Sequence, residues 1–181
     1  MMIEMKHPRQ IRLVEPLLWF VLITGSLIYA LMAFNSQDLL WFTSKAVDAH
    51  PNRIVVWEDG EQTVIQPGHD NYNQLAEAVH LSLKDFNNTN LINVGFGDES
   101  LSYYEDKGVM VELFYDQPVR FHAPFRTGEP TQLLVPVNGR HAGHDYFFRG
   151  GQGEWWFGAM RMANPTPLMN TLAELGYNVP S

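Results

Sequence analysis

LLWFVLITGSLIYALMAF, residues 17–34, is apolar from end to end and carries no charged side chain. Built as an α-helix at ~1.5 Å per residue it extends about 27 Å, close to the hydrocarbon thickness of a bilayer. A helix on a soluble core keeps a polar stripe toward water, and this one has none, so residues 17–34 read as a transmembrane helix. A cleaved signal peptide has a shorter apolar stretch followed by small residues. Here the best-placed cleavage candidate, Leu31-Met32-Ala33, lacks the small residue at its first position, and with no cysteine in the chain a lipoprotein signal is excluded.

The flanks give an orientation. Lys6, Arg9 and Arg12 precede the run, and close after it stands Lys45. Basic residues stay on the cytoplasmic side, which makes residues 1–16 a cytoplasmic tail and puts residues 35–181 outside the plasma (inner) membrane. Trp19 at one end, and Phe34, Trp41 and Phe42 at the other, suit the two interfaces. Ser26, Ala30 and Ala33 fall on one helical face of small side chains, the kind of face through which two such helices pair as a homodimer.

Beyond the run, residues 35–181 are enough for one domain with a real core. With three basic and two acidic residues lying ahead of Asn35, that portion keeps nine Lys or Arg against eighteen Asp or Glu, a net charge of −9. Such a balance argues against nucleic acid and against anionic lipid surfaces, which are held by basic patches. The lack of cysteine removes disulfides, thiolate catalysis and thiolate metal sites. Five Trp, seven Tyr and eleven Phe point to a sheet-rich core or an exposed recognition surface.

Residues 35–52 read as a linker, with 37–42 able to prolong the helix until His50-Pro51-Asn52 ends it. From residue 53 the pattern turns strand-like. Residues 53–57 and 63–65 flank Asp59-Gly60, a hairpin signal because the turn needs positive φ. Tyr72, Leu75, Ala76, Val79, Leu83 and Phe86 recur at helical spacing and predict a helix over 71–86, capped by Asp70 or Asn71. Strands are expected at 91–96, 101–105, 109–115, 119–122, 132–137, 145–149 and 154–161. A last helix follows, with Thr166 as cap, Pro167 at its first position and Gly176 as stop. The expected fold class is α+β: one transmembrane helix, then a single domain over 53–181 with a mostly antiparallel sheet covered by two helices.

No cofactor motif or catalytic signature emerges. Gly97-Asp98-Glu99-Ser100 lacks the nucleophile-elbow pattern. Gly150-Gly151-Gln152-Gly153 lacks the Lys-Ser/Thr ending of a phosphate loop and precedes a strand, so it reads as a hairpin loop. His141, His144 and Asp145, with His122 or Glu154 to complete the set, are the metal candidates, although the two histidines lack the spacing that shares a helix face. Asn87-Asn88-Thr89 matches the N-glycosylation pattern.

The aromatic strands carry the functional expectation. Tyr146, Arg149, Trp155 and Trp156 are the candidate contact residues for a protein partner, on the reading that alternation turns part of each aromatic set outward. The chain is then a non-enzymatic, anchored accessory or regulatory subunit of a membrane assembly. Two alternatives stand beside it: a small-molecule or cell-wall ligand domain with a pocket among Trp57, Tyr72 and the late aromatics, and a hydrolase using His141, His144 and Asp145.

Overall fold

The computed structural model describes residues 13–43, 47–86 and 88–180. The basic flanks Lys6, Arg9, Arg12 and Lys45, and the glycosylation candidate Asn87, lie outside the described residues.

Helix α1 (Val14–Ser36) includes the whole apolar run, and nearly all of its side chains are exposed. It is long and apolar enough to cross a membrane. The helix does not continue through residue 42 as the sequence suggests. Gln37 takes a left-handed conformation (φ 58°) and ends it, and the chain folds back so that the Tyr29 hydroxyl donates to the Leu39 carbonyl at 2.9 Å. Phe42 meets the Tyr29 ring edge-on. Ala33, the last residue of the small face, is buried, leaving Ser26 and Ala30 exposed on it.

Nor is the stretch after the turn a free linker. Val47 and Ala49 are buried in the main core, and the Val47 amide donates to the Lys84 carbonyl at 2.9 Å. Burying a valine side chain such as Val47 contributes roughly 1.5–3 kcal/mol, which ties this stretch to the core of the domain.

The sheet has seven strands, all antiparallel: β1 (Arg53–Glu58), β2 (Glu61–Ile65), β3 (Val109–Phe114), β4 (Gln132–Asn138), β5 (Tyr146–Gly151), β6 (Glu154–Trp155) and β7 (Met160–Arg161). Their order is β2-β1-β3-β4-β5, with both β6 and β7 on the outer edge of β5. The β1–β2 turn is as expected: Asp59 (φ 48°) and Gly60 (φ 85°) both take positive φ, which matches the strand twist.

Side chains alternate between two cores. Ile54, Val56, Val111, Leu113, Leu133, Val135 and Phe147 face α2 (Tyr72–Leu83) and α4 (Thr166–Glu174), which pack on each other. Met110, Leu134 and Phe148 face the other way, toward Phe96 and Tyr104. Tyr104 belongs to α3 (Asp98–Asp106), a helix where the sequence pattern suggested a strand over 101–105. Among the described residues three helices, not two, therefore accompany the sheet, and they lie on both of its faces. The α4 cap also differs from expectation. Thr166 is the first helical residue, and Ser82 of α2 accepts the Leu168 amide at 3.0 Å in its place. At the other end Tyr177 donates to Leu172 and Gly176 to Ala173, the paired bonds of a Schellman ending.

Two expected strands are not ladders. Residues 91–96 make one bridge, Ile92 with Ala159. Residues 119–122 show alternating burial but form no ladder: the Val119 amide donates to the Pro130 carbonyl at 2.8 Å, and Pro118, Pro124 and Pro130 supply no amide donors.

Candidate functional site

β6 and β7 are one edge strand interrupted by a bulge at residues 156–159. Gln152 (φ 57°) and Gly153 (φ 85°) form a tight turn into β6, so Gly150-Gly151-Gln152-Gly153 is an ordered hairpin. The strand leaves the ladder after Trp155, holds one further bond from the Trp156 amide to the Arg149 carbonyl at 2.7 Å, and rejoins at Met160. Along the outer side, the Gly158 amide donates to Val94 and Ala159 to Ile92, both at 3.0 Å.

Arg149 organises this bulge from inside. It is 3% exposed, and its guanidinium donates to the Phe157 carbonyl at 3.2 Å, to the Gly158 carbonyl at 3.1 Å, and to the carbonyl of Thr127. Burial lowers its pKa to about 10, which leaves it protonated at neutral pH. The sequence reading set Arg149 among the surface contacts. The structure buries it, and its two terminal nitrogens are turned onto backbone carbonyls, while its Nε is buried without a hydrogen-bond partner.

What the bulge presents is Phe157, 65% exposed and thus the most exposed aromatic side chain among the described residues of the domain beyond residue 43. Phe157 is not among the contact residues expected from the sequence. Trp155 and Tyr146 are half-buried against the α3-side core, and Trp156 is half-buried with its ring over Gly128. Arg161 stacks its guanidinium 5.5 Å from the Tyr146 ring. Edge position plus alternation explains the split: Tyr146, Trp155 and Trp156 are partly sunk inward, and the residue thrown out by the bulge is mostly exposed, one side of its ring against Gly95.

The histidine cluster of the sequence is not brought together as a ligand set. His141 packs its ring among Phe96, Tyr104 and Phe148, and its Nδ1 is buried without a hydrogen-bond partner. Burial lowers its pKa, helped by Arg140 and His144. His144 instead stacks on Tyr146. Among the described residues, Asp48, His50 and His80 are the group whose ligand atoms converge, within 4.8 Å. His50 Nδ1 lies 2.6 Å from Asp48 and its Nε2 lies 3.4 Å from Glu77. The two imidazoles are stacked at 4.0 Å and nearly parallel. In-plane lone pairs of stacked rings do not point at one centre, so this arrangement is a hydrogen-bonded cluster and not a preformed metal centre. No local motif marks it, because Asp48 and His50 reach His80 only through the docking of residues 47–52 onto α2.

Of the residues expected to line a pocket, Trp57, Tyr72 and the late aromatics, Trp57 and Tyr72 lie on opposite faces of the sheet. Tyr72 packs on one face of the sheet, its hydroxyl donating to Pro51 at 2.6 Å. Trp57 packs on the other, donating to Glu112 at 3.0 Å. Burial raises the Glu112 pKa, and the Trp57 bond acts against that rise.

No family model matches the chain, and no curated protein or solved structure matches it either.

Proposed function

We propose that this chain is a non-enzymatic, membrane-anchored protein whose α+β domain lies outside the plasma (inner) membrane and binds a protein partner, as accessory or regulatory subunit of a membrane assembly. The observation that carries this reading is Phe157: a large aromatic side chain, 65% exposed, on an edge bulge whose carbonyls are fixed by a buried arginine. Interface anchors are typically aromatic, and holding one on a fixed backbone lowers the ordering cost of binding. Tyr146, Trp155 and Trp156 on the same edge of the sheet add half-buried aromatic surface, and Arg149 acts as the positioning residue. α1 supports the anchor, since an exposed apolar helix of this length is stable only with its surface away from water.

Mild cross-linking of the full-length protein in its native membrane, followed by purification, tests the reading. One partner recovered in near-equal amount from wild type, and lost in Phe157→Ala, is the expected result. A monomer or homodimer in both would overturn it.

A further inference from the structure

Where α1 ends, a half-open cavity of about 600 Å³ lies between its last turn, the reversed segment 37–40 and the loop 120–129. That size falls within the ~300–1,000 Å³ of ordinary ligand sites. The two walls are tied by one contact, His122 Nδ1 to Asp38 Oδ2 at 2.7 Å. Asp38 is occupied further by the Leu40 amide at 2.8 Å. Three other charged residues line the space: Arg120, Arg126 and Glu129. All three are exposed, and none is hydrogen-bonded or ion-paired to another described residue. Leu39 and Leu40 complete the wall on the α1 side, 68% and 51% exposed.

We infer that this cavity binds the headgroup of a phosphoethanolamine lipid, its phosphate on Arg120 and Arg126 and its ammonium on Glu129. The inference rests on the anchored reading above, because that reading sets the end of α1 at headgroup depth. Arg120 and Arg126 line the same cavity, and guanidiniums recognise a phosphate through charge-assisted hydrogen bonds. A free carboxylate in the same cavity calls for a cation, and the carbonyl end of α1 at Ser36 and Gln37 adds partial negative charge on that side. A zwitterion meets both demands. A choline headgroup has no N–H to donate to Glu129, and a glycerol headgroup has no cation. Leu39 and Leu40 offer apolar surface where the acyl chains leave.

The test uses the full chain reconstituted in nanodiscs of phosphatidylethanolamine, phosphatidylglycerol and phosphatidylcholine with identical acyl chains, followed by transfer to detergent and mass spectrometry of the lipid retained. Retention of phosphatidylethanolamine above its bulk share is expected. It should fall roughly tenfold in Arg120→Ala/Arg126→Ala, from the loss of two charged hydrogen-bond donors. Glu129→Gln should retain lipid but no longer prefer the amine headgroup over choline. Retention at bulk proportions, a preference for phosphatidylglycerol, or displacement by soluble phosphoethanolamine at equal concentration would each overturn the inference. Carbonate extraction of the native membranes separates the two failures. A chain released by carbonate overturns the anchored reading and this one with it, whereas a chain that stays without lipid selectivity overturns this inference alone.

Discussion

The guanidinium of Arg149 donates to the Phe157 carbonyl at 3.2 Å while the Phe157 ring, on the same residue, stands 65% exposed. A buried cation thus fixes the backbone of the side chain most available to a partner. The two residues lie eight positions apart, one on β5 and the other on the bulge beside it.

Arg149→Met removes every donor to the three carbonyls while keeping much of the side-chain volume. Leaving those carbonyls buried and unpaired costs about 2–4 kcal/mol. Urea denaturation followed by tryptophan fluorescence should show that loss, and a change below about 0.5 kcal/mol would mean that the bulge holds its shape without the arginine.

Phe157→Ala separates binding from folding. The ring is exposed, so its removal should change stability by less than about 0.5 kcal/mol. Partner recovery in the cross-linking experiment should drop by roughly tenfold or more, as expected for an interface anchor. Unchanged recovery would assign the contact to another surface.

Gly108 joins α3 to β3 with φ 84°, and a Cβ there would run into the Asn138 carbonyl. Backbone cannot move aside as a flexible side chain does. Gly108→Ala should therefore destabilise the domain by about 2 kcal/mol or more. A thermal melt that matches wild type would show that the α3–β3 junction tolerates a different backbone path.

Two histidines should respond to pH in opposite directions. The hydrogen bond that the Asp48 carboxylate accepts from His50 raises the pKa of His50, with Glu77 adding to it, and the same bond lowers that of Asp48. Stability from His50 is complete below its ordinary value of about 6.5 and is lost as pH rises through the raised one. Stability from Asp48 is complete above about 3.9 and is lost as pH falls through its lowered pKa. The difference between wild type and His50→Gln should thus peak between about pH 4 and 6.5, at no more than roughly 1 kcal/mol because both groups are well exposed to solvent. His141 acts the other way. Burial favours its neutral form, so the folded chain loses stability as pH drops below about 6.5, and His141→Gln should remove that part of the acid sensitivity. Unfolding curves at five or six pH values check both signs.

Much of the fold was legible because local chemistry and tertiary structure agree. Asp59-Gly60 forms the turn its residues favour, and Leu75, Val79 and Leu83 give α2 a buried stripe that packs against the sheet. The misreading at 101–105 has a physical source. Leu101, Tyr103 and Tyr104 fit a strand alternation as well as a helix, and the helix wins because Asp98 and Glu99 suit its positive first turn and Tyr104 fills the second core completely. Residues 119–125 keep the alternating burial of a strand without a ladder, holding to the neighbouring segment through the single bond from the Val119 amide to the Pro130 carbonyl among the backbone bonds of the described residues. At the candidate site, the aromatic composition was readable, but the exchange of roles between Arg149 and Phe157 was not. It depends on a bulge, and a bulge shifts the facing of every residue in it.

The sequence by itself determined the apolar helix, the α+β class, the β1–β2 hairpin and the helices α2 and α4, because periodicity and turn chemistry are properties of neighbouring residues. Only the tertiary structure decided which side chains are available. Arg149 went inside, Phe157 outside, His50 joined His80, and Arg120, Arg126 and Glu129 came to line one cavity with the end of α1. Those relationships join residues far apart in the chain, and exposure is set by the elements that cover a side chain, which no local pattern encodes.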